Sequence, residues 1–100
     1  MRLEEIITLL KRYRQELDGR GVESLAIVGS AARGEAVQGS DVDLIVKLDG
    51  TERGFAHFRR LDELQARLSE ILGCPVDLIE DSAVSRRVRS ELEKGRVVAF

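Results

Sequence analysis

The chain has 100 residues, of which 43% are hydrophobic and 34% are charged, a balance typical of one folded domain spanning residues 1–100. Sixteen basic and eighteen acidic residues give a formal net charge of −2, which argues against a protein held to nucleic acid mainly by non-specific charge. One His and one Cys leave too few ligands for a His/Cys zinc site.

Hydrophobic periodicity predicts alternating helices and strands. In chain order the predicted elements are a helix over 2–18, a strand over 25–28, a turn and very short helix over 30–36, a loop over 37–40, a strand over 41–48, a helix over 55–72, a strand over 76–79, a helix over 83–94 and an edge strand over 97–100. This order predicts an α/β (α+β) fold, with a small mixed β-sheet of three to four strands and flanking helices.

Turn and capping residues predict where the helices begin and end. Gly19 and Gly21 are expected to end the first helix, and Ser82 is expected to cap the last one. His57 lies within the helix predicted over 55–72. Because no second histidine is present, His57 is expected to be a surface residue.

The clearest periodicity lies in residues 41–48, where apolar residues alternate with Asp41 and Asp43. Successive side chains of a strand point to opposite faces, so both aspartates share the face that the apolar residues avoid. Asp77 has the same orientation on the strand predicted over 76–79. The three carboxylates converge if these two strands are neighbours.

Clustered carboxylates repel one another, so a cluster either raises a carboxyl pKa or binds a cation. Oxygen ligands without imidazole or thiolate favour Mg²⁺ or Mn²⁺. The alternative is that Asp41 ends a strand and that Asp43 and Asp77 are ordinary surface acids. The spacing alone leaves both interpretations open.

A second element precedes the aspartates. Gly29 and Ser30 follow a buried strand and open a helical turn, whose N–H groups and hydroxyl suit phosphate oxygens. The turn is not a P-loop, because no Gly-Lys-Ser/Thr follows it. The alternative is a plain strand-to-helix turn with Ser30 as its N-cap.

Together the two elements read Gly29-Ser30-Ala31-Ala32-Arg33-Gly34 and, after a gap, Ser40-Asp41-Val42-Asp43-Leu44. This combined motif closely resembles the signature of the DNA polymerase β-like nucleotidyltransferase superfamily. In particular, the chain resembles the minimal nucleotidyltransferases that act as antitoxins in HEPN/MNT toxin–antitoxin pairs. The resemblance covers essentially the whole chain and implies the palm core of that superfamily.

The resemblance also implies a role for each matched residue. Asp41 and Asp43 would hold two Mg²⁺ ions, and Asp77 would complete the site as a metal ligand or as a base. Gly29 and Ser30 would bind the β- and γ-phosphates of ATP. Arg33 would contact phosphate or only connect the turn to the carboxylate strand, and Ser40 would shape the loop at the nucleotide site.

The implied reaction is transfer of AMP from ATP to a tyrosine of a partner HEPN toxin, which blocks the toxin. A binding-only antitoxin with a vestigial site is an alternative, as is transfer to a small molecule or to tRNA. The net charge favours a protein acceptor over a long nucleic acid.

Location is predicted from cysteine usage and from the apolar runs. Cys74 has no partner for an internal disulfide, which favours a reducing compartment. The run Leu25–Val28 is far too short to cross a membrane, and the first residues do not resemble a signal peptide. We therefore expect a cytoplasmic protein.

Overall fold

The structure, a computed structural model, describes residues 2–34, 41–83 and 95–100. Its elements in chain order are α1 (Leu3–Arg12), α2 (Arg14–Gly19), β1 (Val22–Val28), α3 (Gly29–Ala32), β2 (Val42–Leu48), α4 (Phe55–Leu72), β3 (Val76–Glu80), a 3-10 turn (Asp81–Ala83) and β4 (Val97–Val98).

The described strands form one mixed sheet in the order β3-β2-β1-β4. Strand β1 pairs antiparallel with both β2 and β4, whereas β2 and β3 are parallel and are connected through α4. This topology confirms the predicted fold class and the edge position of the last strand. It also makes β2 and β3 neighbours, which is the condition under which the carboxylates of Asp43 and Asp77 converge.

The hydrophobic core lies between one face of the sheet and the helices. Its buried residues from α1, α2, α4 and the three longer strands are Ile6, Leu10, Leu17, Val22, Leu25, Ile27, Val42, Leu44, Val46, Leu64, Leu68, Leu72 and Val76. Apolar residues of β2 are buried as the alternation predicts. Ile45 and its pairing partner Ala26 on β1 are buried as well, although Ile45 shares the face of Asp43. No helix in the described parts of the chain is long and apolar enough to span a bilayer.

The first helix differs from the prediction. The expected continuous helix over 2–18 is interrupted at Tyr13, whose backbone (φ −98°, ψ 11°) lies outside the helical range. The interruption is slight, because Tyr13 N still donates to Leu9 O and Leu17 N to Tyr13 O. The chain turns beyond α2 at Gly21, which has a positive φ of 89°.

The bounds of other elements also differ from the prediction. Strand β1 begins at Val22 rather than at residue 25, because Val22 pairs with Leu48 across an irregularity in the ladder. Helix α3 ends at Ala32. Arg33 and Gly34 follow it as a turn. Residues 35–36 of the segment predicted over 30–36, the loop predicted over 37–40 and the helix predicted over 83–94 lie outside the described residues, apart from Ala83, which ends the 3-10 turn. Ser82 lies within that turn, and its hydroxyl donates to Glu80 Oε1.

Helix α4 returns the chain from the end of β2 to the start of β3. Its first turn lies beside the end of β3, where His57 Nε2 is 2.5 Å from Glu80 Oε2. The expectation that His57 is a surface residue was therefore wrong, since its side chain is only 22% exposed. Burial raises the pKa of Glu80. The hydrogen bonds with Ser82 and His57 and the positive charges of His57 and Arg60 together lower this pKa by more than burial raises it, so the net shift is downward. The first turn of α4 is thus fixed at the end of the sheet opposite Asp43 and Asp77.

A bidentate ion pair connects α2 to α4. Arg67 Nε donates to Glu16 Oε2 at 2.7 Å and Arg67 Nη2 to Glu16 Oε1 at 2.8 Å. The guanidinium also stacks over Tyr13, with its carbon 5.4 Å from the ring centroid. The hydrogen bond from Arg67 is the largest influence that lowers the pKa of Glu16, from 4.5 to about 2. This pairing is geometrically demanding, because a lysine cannot supply two parallel N–H donors.

We expect Glu16→Gln to lower the melting temperature by a few degrees at neutral pH. A carboxyl whose pKa is depressed on folding contributes stability that is complete above its unfolded pKa and is lost as the pH falls through the folded pKa. The difference between wild type and variant should therefore shrink between pH 4.5 and about pH 2. Thermal unfolding followed by circular dichroism measures it. Glu23→Gln, at the exposed pair with Lys47, is the matched control and should change little; equal melting temperatures for wild type and Glu16→Gln would contradict the assignment.

Candidate functional site

Two of the predicted carboxylates lie opposite each other across the parallel pair of strands. Asp43 on β2 is in register with Asp77 on β3, one residue after the paired Val42 and Val76. Both valines are buried on the helix side, so both aspartates point to the other face. Adjacent strands lie about 4.8 Å apart, which brings the two side chains into direct proximity.

The third aspartate, Asp41, also affects the pKa of Asp43. Burial raises the pKa of Asp43, and the negative charges of Asp77 and Asp41 raise it further. Asp41 directly precedes β2 and is exposed, as is Asp77 at the sheet edge, whereas Asp43 is half-buried between them. The structure therefore places Asp41 and Asp77 within electrostatic range of Asp43.

The carboxyl oxygens of the three aspartates do not surround a position that a metal ion could occupy. Among residues 2–34, 41–83 and 95–100, no three His, Cys, Asp or Glu side chains are placed so that they could hold a metal ion. The backbone register positions Asp43 and Asp77, but side-chain torsions position their oxygens, and exposed aspartates can change rotamer. The donor set consists of carboxylate oxygens, which suits Mg²⁺ or Mn²⁺. The assignment of metal ligands stays a prediction.

The glycine-serine turn lies against the central carboxylate. Val28, the last residue of β1, pairs with Asp43, so Gly29 emerges beside the aspartate. Gly29 has a φ of +72°, and a Cβ added to it would lie only 2.5 Å from Asp43 Oδ2. Glycine is therefore required here both by the backbone conformation and by the close approach of the carboxylate. The sequence motif placed these residues in one site but did not predict this contact.

The remaining predicted residues occupy different surroundings. Ser30 follows Gly29 in α3 and is half-buried. Arg33 is exposed, and its side-chain stem runs beside Gly95, where an added Cβ would lie 3.2 Å from Arg33 Cγ. A depression of about 470 Å³ adjoins this turn on the side of α1 and is lined by Arg2, Leu3, Glu4, Ala31, Ala32, Arg33 and Gly34. Ser40 lies outside the described residues.

Comparison with known families decides the classification of this chain. The nucleotidyltransferase domain family matches residues 6–99 of the chain. The chain belongs to this family. The matched region contains the glycine-serine turn and all three aspartates, and their assignment as site residues stays a prediction.

Two archaeal relatives are similar to this nucleotidyltransferase over most of its length. The candidate protein adenylyltransferase MJ1379 of Methanocaldococcus jannaschii is 39% identical over 83 residues, which cover 82% of this chain and 81% of the relative. The protein adenylyltransferase MntA of Thermococcus cleftensis is 36% identical over 83 residues, covering 82% of this chain and 80% of the relative.

Solved structures show the same fold. A candidate minimal nucleotidyltransferase superimposes with a TM-score of 0.79 at 25% identity, covering 97% of this chain and 95% of the other. A chain from the Shewanella oneidensis complex of a tri-AMPylated HEPN toxin with its MNT antitoxin gives a TM-score of 0.65 at 16% identity, covering 93% of this chain and 70% of the other. At that identity the second likeness concerns the fold alone.

We expect Gly29→Ala to displace the Asp43 carboxylate and to reduce nucleotidyl transfer by about 100-fold, the typical loss when one charge-stabilising group is misplaced. Gly50→Ala is the matched control, because Gly50 has a similar φ of +75° but no atom within 4 Å of an added Cβ. Both variants should lose some thermal stability from backbone strain. Only Gly29→Ala should lose activity, measured as release of pyrophosphate; equal activities in the two variants would contradict the importance of the contact.

Proposed function

We propose that this nucleotidyltransferase transfers AMP from ATP to a hydroxyl group of a partner protein. The observation that carries the proposal is the pairing of Asp43 with Asp77 directly beside Gly29. This arrangement puts a half-buried carboxylate between a second carboxylate and a turn suited to phosphate. A nucleoside triphosphate with divalent cations is the ligand whose charges complement both parts.

The choice of acceptor rests on the relatives. MntA of T. cleftensis is named a protein adenylyltransferase, and the similarly folded S. oneidensis antitoxin occurs in complex with an AMPylated HEPN toxin. By analogy, the partner of this chain is a HEPN-type toxin, the accepting group is the hydroxyl of a tyrosine, and the chain acts as an antitoxin. A cytoplasmic location stays a prediction and is consistent with Cys74 as a free thiol.

Asp41, Asp43 and Asp77 would hold Mg²⁺, for which Mn²⁺ could substitute. The fit rests on the chemistry of the donor set and on the raised pKa of Asp43, since a bound cation would offset the repulsion from Asp77 and Asp41. When bound, divalent cations polarise the phosphate and neutralise the charge that develops on the entering and leaving oxygens.

The protein's contribution to the reaction is mainly to position the reactants. The hydroxyl oxygen of the acceptor attacks the α-phosphorus of ATP, a new P–O bond forms, and the bond from the α-phosphorus to the oxygen bridging it to the β-phosphate breaks. Pyrophosphate leaves with that oxygen, and the hydroxyl proton passes to a nearby base, a role open to the exposed Asp77. The backbone of Gly29 and the hydroxyl of Ser30 would hold the departing phosphates in line with the attack.

We expect Asp43→Asn to reduce labelling of the partner by about 100-fold or more, because the variant lacks the central carboxylate. The purified chain is incubated with labelled ATP, Mg²⁺ and a HEPN-type candidate partner protein, and the label on that protein is measured after electrophoresis. Asp18→Asn, at an exposed position in α2, is the control and should label normally.

Two results would contradict the proposal. The absence of label on the partner with the wild-type chain would rule out protein adenylylation of that partner. Full neutralisation of the toxin by Asp43→Asn, together with an unlabelled partner, would indicate an antitoxin that acts by binding alone.

Asp43→Asn also tests, through thermal stability rather than activity, whether the charge of Asp43 is repelled by its neighbours. Without divalent cation, Asp43→Asn should raise the melting temperature, because it removes a partly buried charge facing two like charges. Adding Mg²⁺ should stabilise the wild type and leave the variant unchanged. Differential scanning calorimetry with and without Mg²⁺ measures both effects; a wild type that does not respond to Mg²⁺ or Mn²⁺ would contradict the metal assignment.

A further inference from the structure

The most exposed apolar surface in the described residues lies on the first turns of α4. Phe55 is 85% exposed and Phe58 is 72% exposed, and their spacing of three places them side by side on the helix. The chain has only four aromatic residues, three Phe and one Tyr, so half of them are in this pair. Two adjacent exposed phenylalanines form the apolar centre that is typical of a contact surface.

Charged residues of both signs adjoin these rings. Phe55, Phe58, Arg59 and Asp62 line one shallow depression. Arg59 and Asp62 are both exposed and three residues apart, yet no ion pair joins either of them to a side chain in the described part of the chain. The surface therefore offers one donor and one acceptor beside its apolar centre.

These residues form a self-complementary pattern. At 100° per residue, Phe55, Arg59, Asp62 and Ala66 fall on one narrow stripe of α4. If two α4 helices pack antiparallel about a two-fold axis, residues whose numbers sum to 121 face each other. Phe55 then faces Ala66 of the other copy, a large side chain against a small one, and Arg59 faces Asp62. Phe58 lies at the edge of the contact, opposite the exposed Glu63.

We propose that this α4 surface, defined by Phe55, Phe58, Arg59, Asp62 and Ala66, binds a second copy of the same chain. The two-fold arrangement repeats the apolar contact and the ion pair twice, as an isologous interface requires. The proposal does not depend on the proposed function, because this surface lies on α4, on the face of the sheet opposite Asp43 and Asp77. Dimerisation through it leaves both candidate sites open to nucleotide and acceptor.

The expected dimer is weak. The four phenylalanine rings of two copies would bury roughly 600 to 1,000 Å². That area lies below the roughly 1,200 to 2,000 Å² of stable specific interfaces, so we expect a weak monomer–dimer equilibrium that shifts with protein concentration.

Charge exchange across the interface tests the proposal. Sedimentation velocity of the wild type between about 10 and 500 μM should show dimer increasing with concentration. Arg59→Asp and Asp62→Arg should each be monomeric over the same range, because each juxtaposes like charges twice. An equimolar mixture of the two variants should recover the dimer, since both facing pairs are then Asp opposite Arg.

Further variants show whether a second copy of the chain or a HEPN-type partner binds the α4 surface. Phe55→Ser with Phe58→Ser should abolish the dimer, whereas Val98→Ser, at another exposed apolar residue, and Arg12→Asp, at another exposed arginine, should not. Circular dichroism confirms that each variant is folded. A wild type that stays monomeric, or a mixture that fails to recover the dimer, overturns the proposal. Loss of binding to a HEPN-type partner with an unchanged dimer would assign the surface to that partner instead.

Discussion

The candidate site depends on the pairing of β2 with a strand on each side. Antiparallel pairing with β1 brings Gly29 against the Asp43 carboxylate, and parallel pairing with β3 brings Asp77 opposite it. The same contacts partly bury Asp43 and expose it to two like charges, which raises its pKa. Folding thus creates an unfavourable concentration of negative charge beside a turn suited to phosphate. Such an arrangement is of use to a protein that binds cations and an anionic substrate together.

The rest of the fold holds these two pairings in place and leaves the site accessible. Helix α4 provides the crossover connection that parallel strands need. Its side chains also accept hydrogen bonds from backbone N–H groups of β3, the edge strand. Ser69 Oγ accepts from Val76 N, and Gln65 Oε1 accepts from Leu78 N, so this edge is partly satisfied within the chain. The first turn of α4 is fixed at the far end of the sheet by the contact between His57 and Glu80. The candidate site and the exposed α4 surface therefore lie on opposite faces of the sheet.

Much of this arrangement could be predicted from sequence, because local periodicity reports which face a residue occupies. The alternation in β2 placed Asp41 and Asp43 on one face, and the stripe in α4 gave its bounds, 55–72, correctly. Periodicity does not report neighbours, so the strand order and the register of Asp43 with Asp77 required the structure. The contact of His57 with Glu80 was missed for the same reason, since it joins residues distant in sequence. The family motif supplied what periodicity could not, namely the expectation that Gly29 and the aspartates belong to one site.

The central claim, that the carboxylates beside Gly29 bind a divalent cation, is tested most directly by paramagnetic line broadening. Substoichiometric Mn²⁺ is added to nitrogen-labelled protein, and the loss of each backbone amide signal is followed by two-dimensional NMR. We predict that the amides of Gly29, Asp43 and Asp77 broaden first and recover when excess Mg²⁺ is added. If those signals stay sharp while amides near Glu80 and Asp81 disappear, the cation binds at the other end of the sheet and the account is wrong.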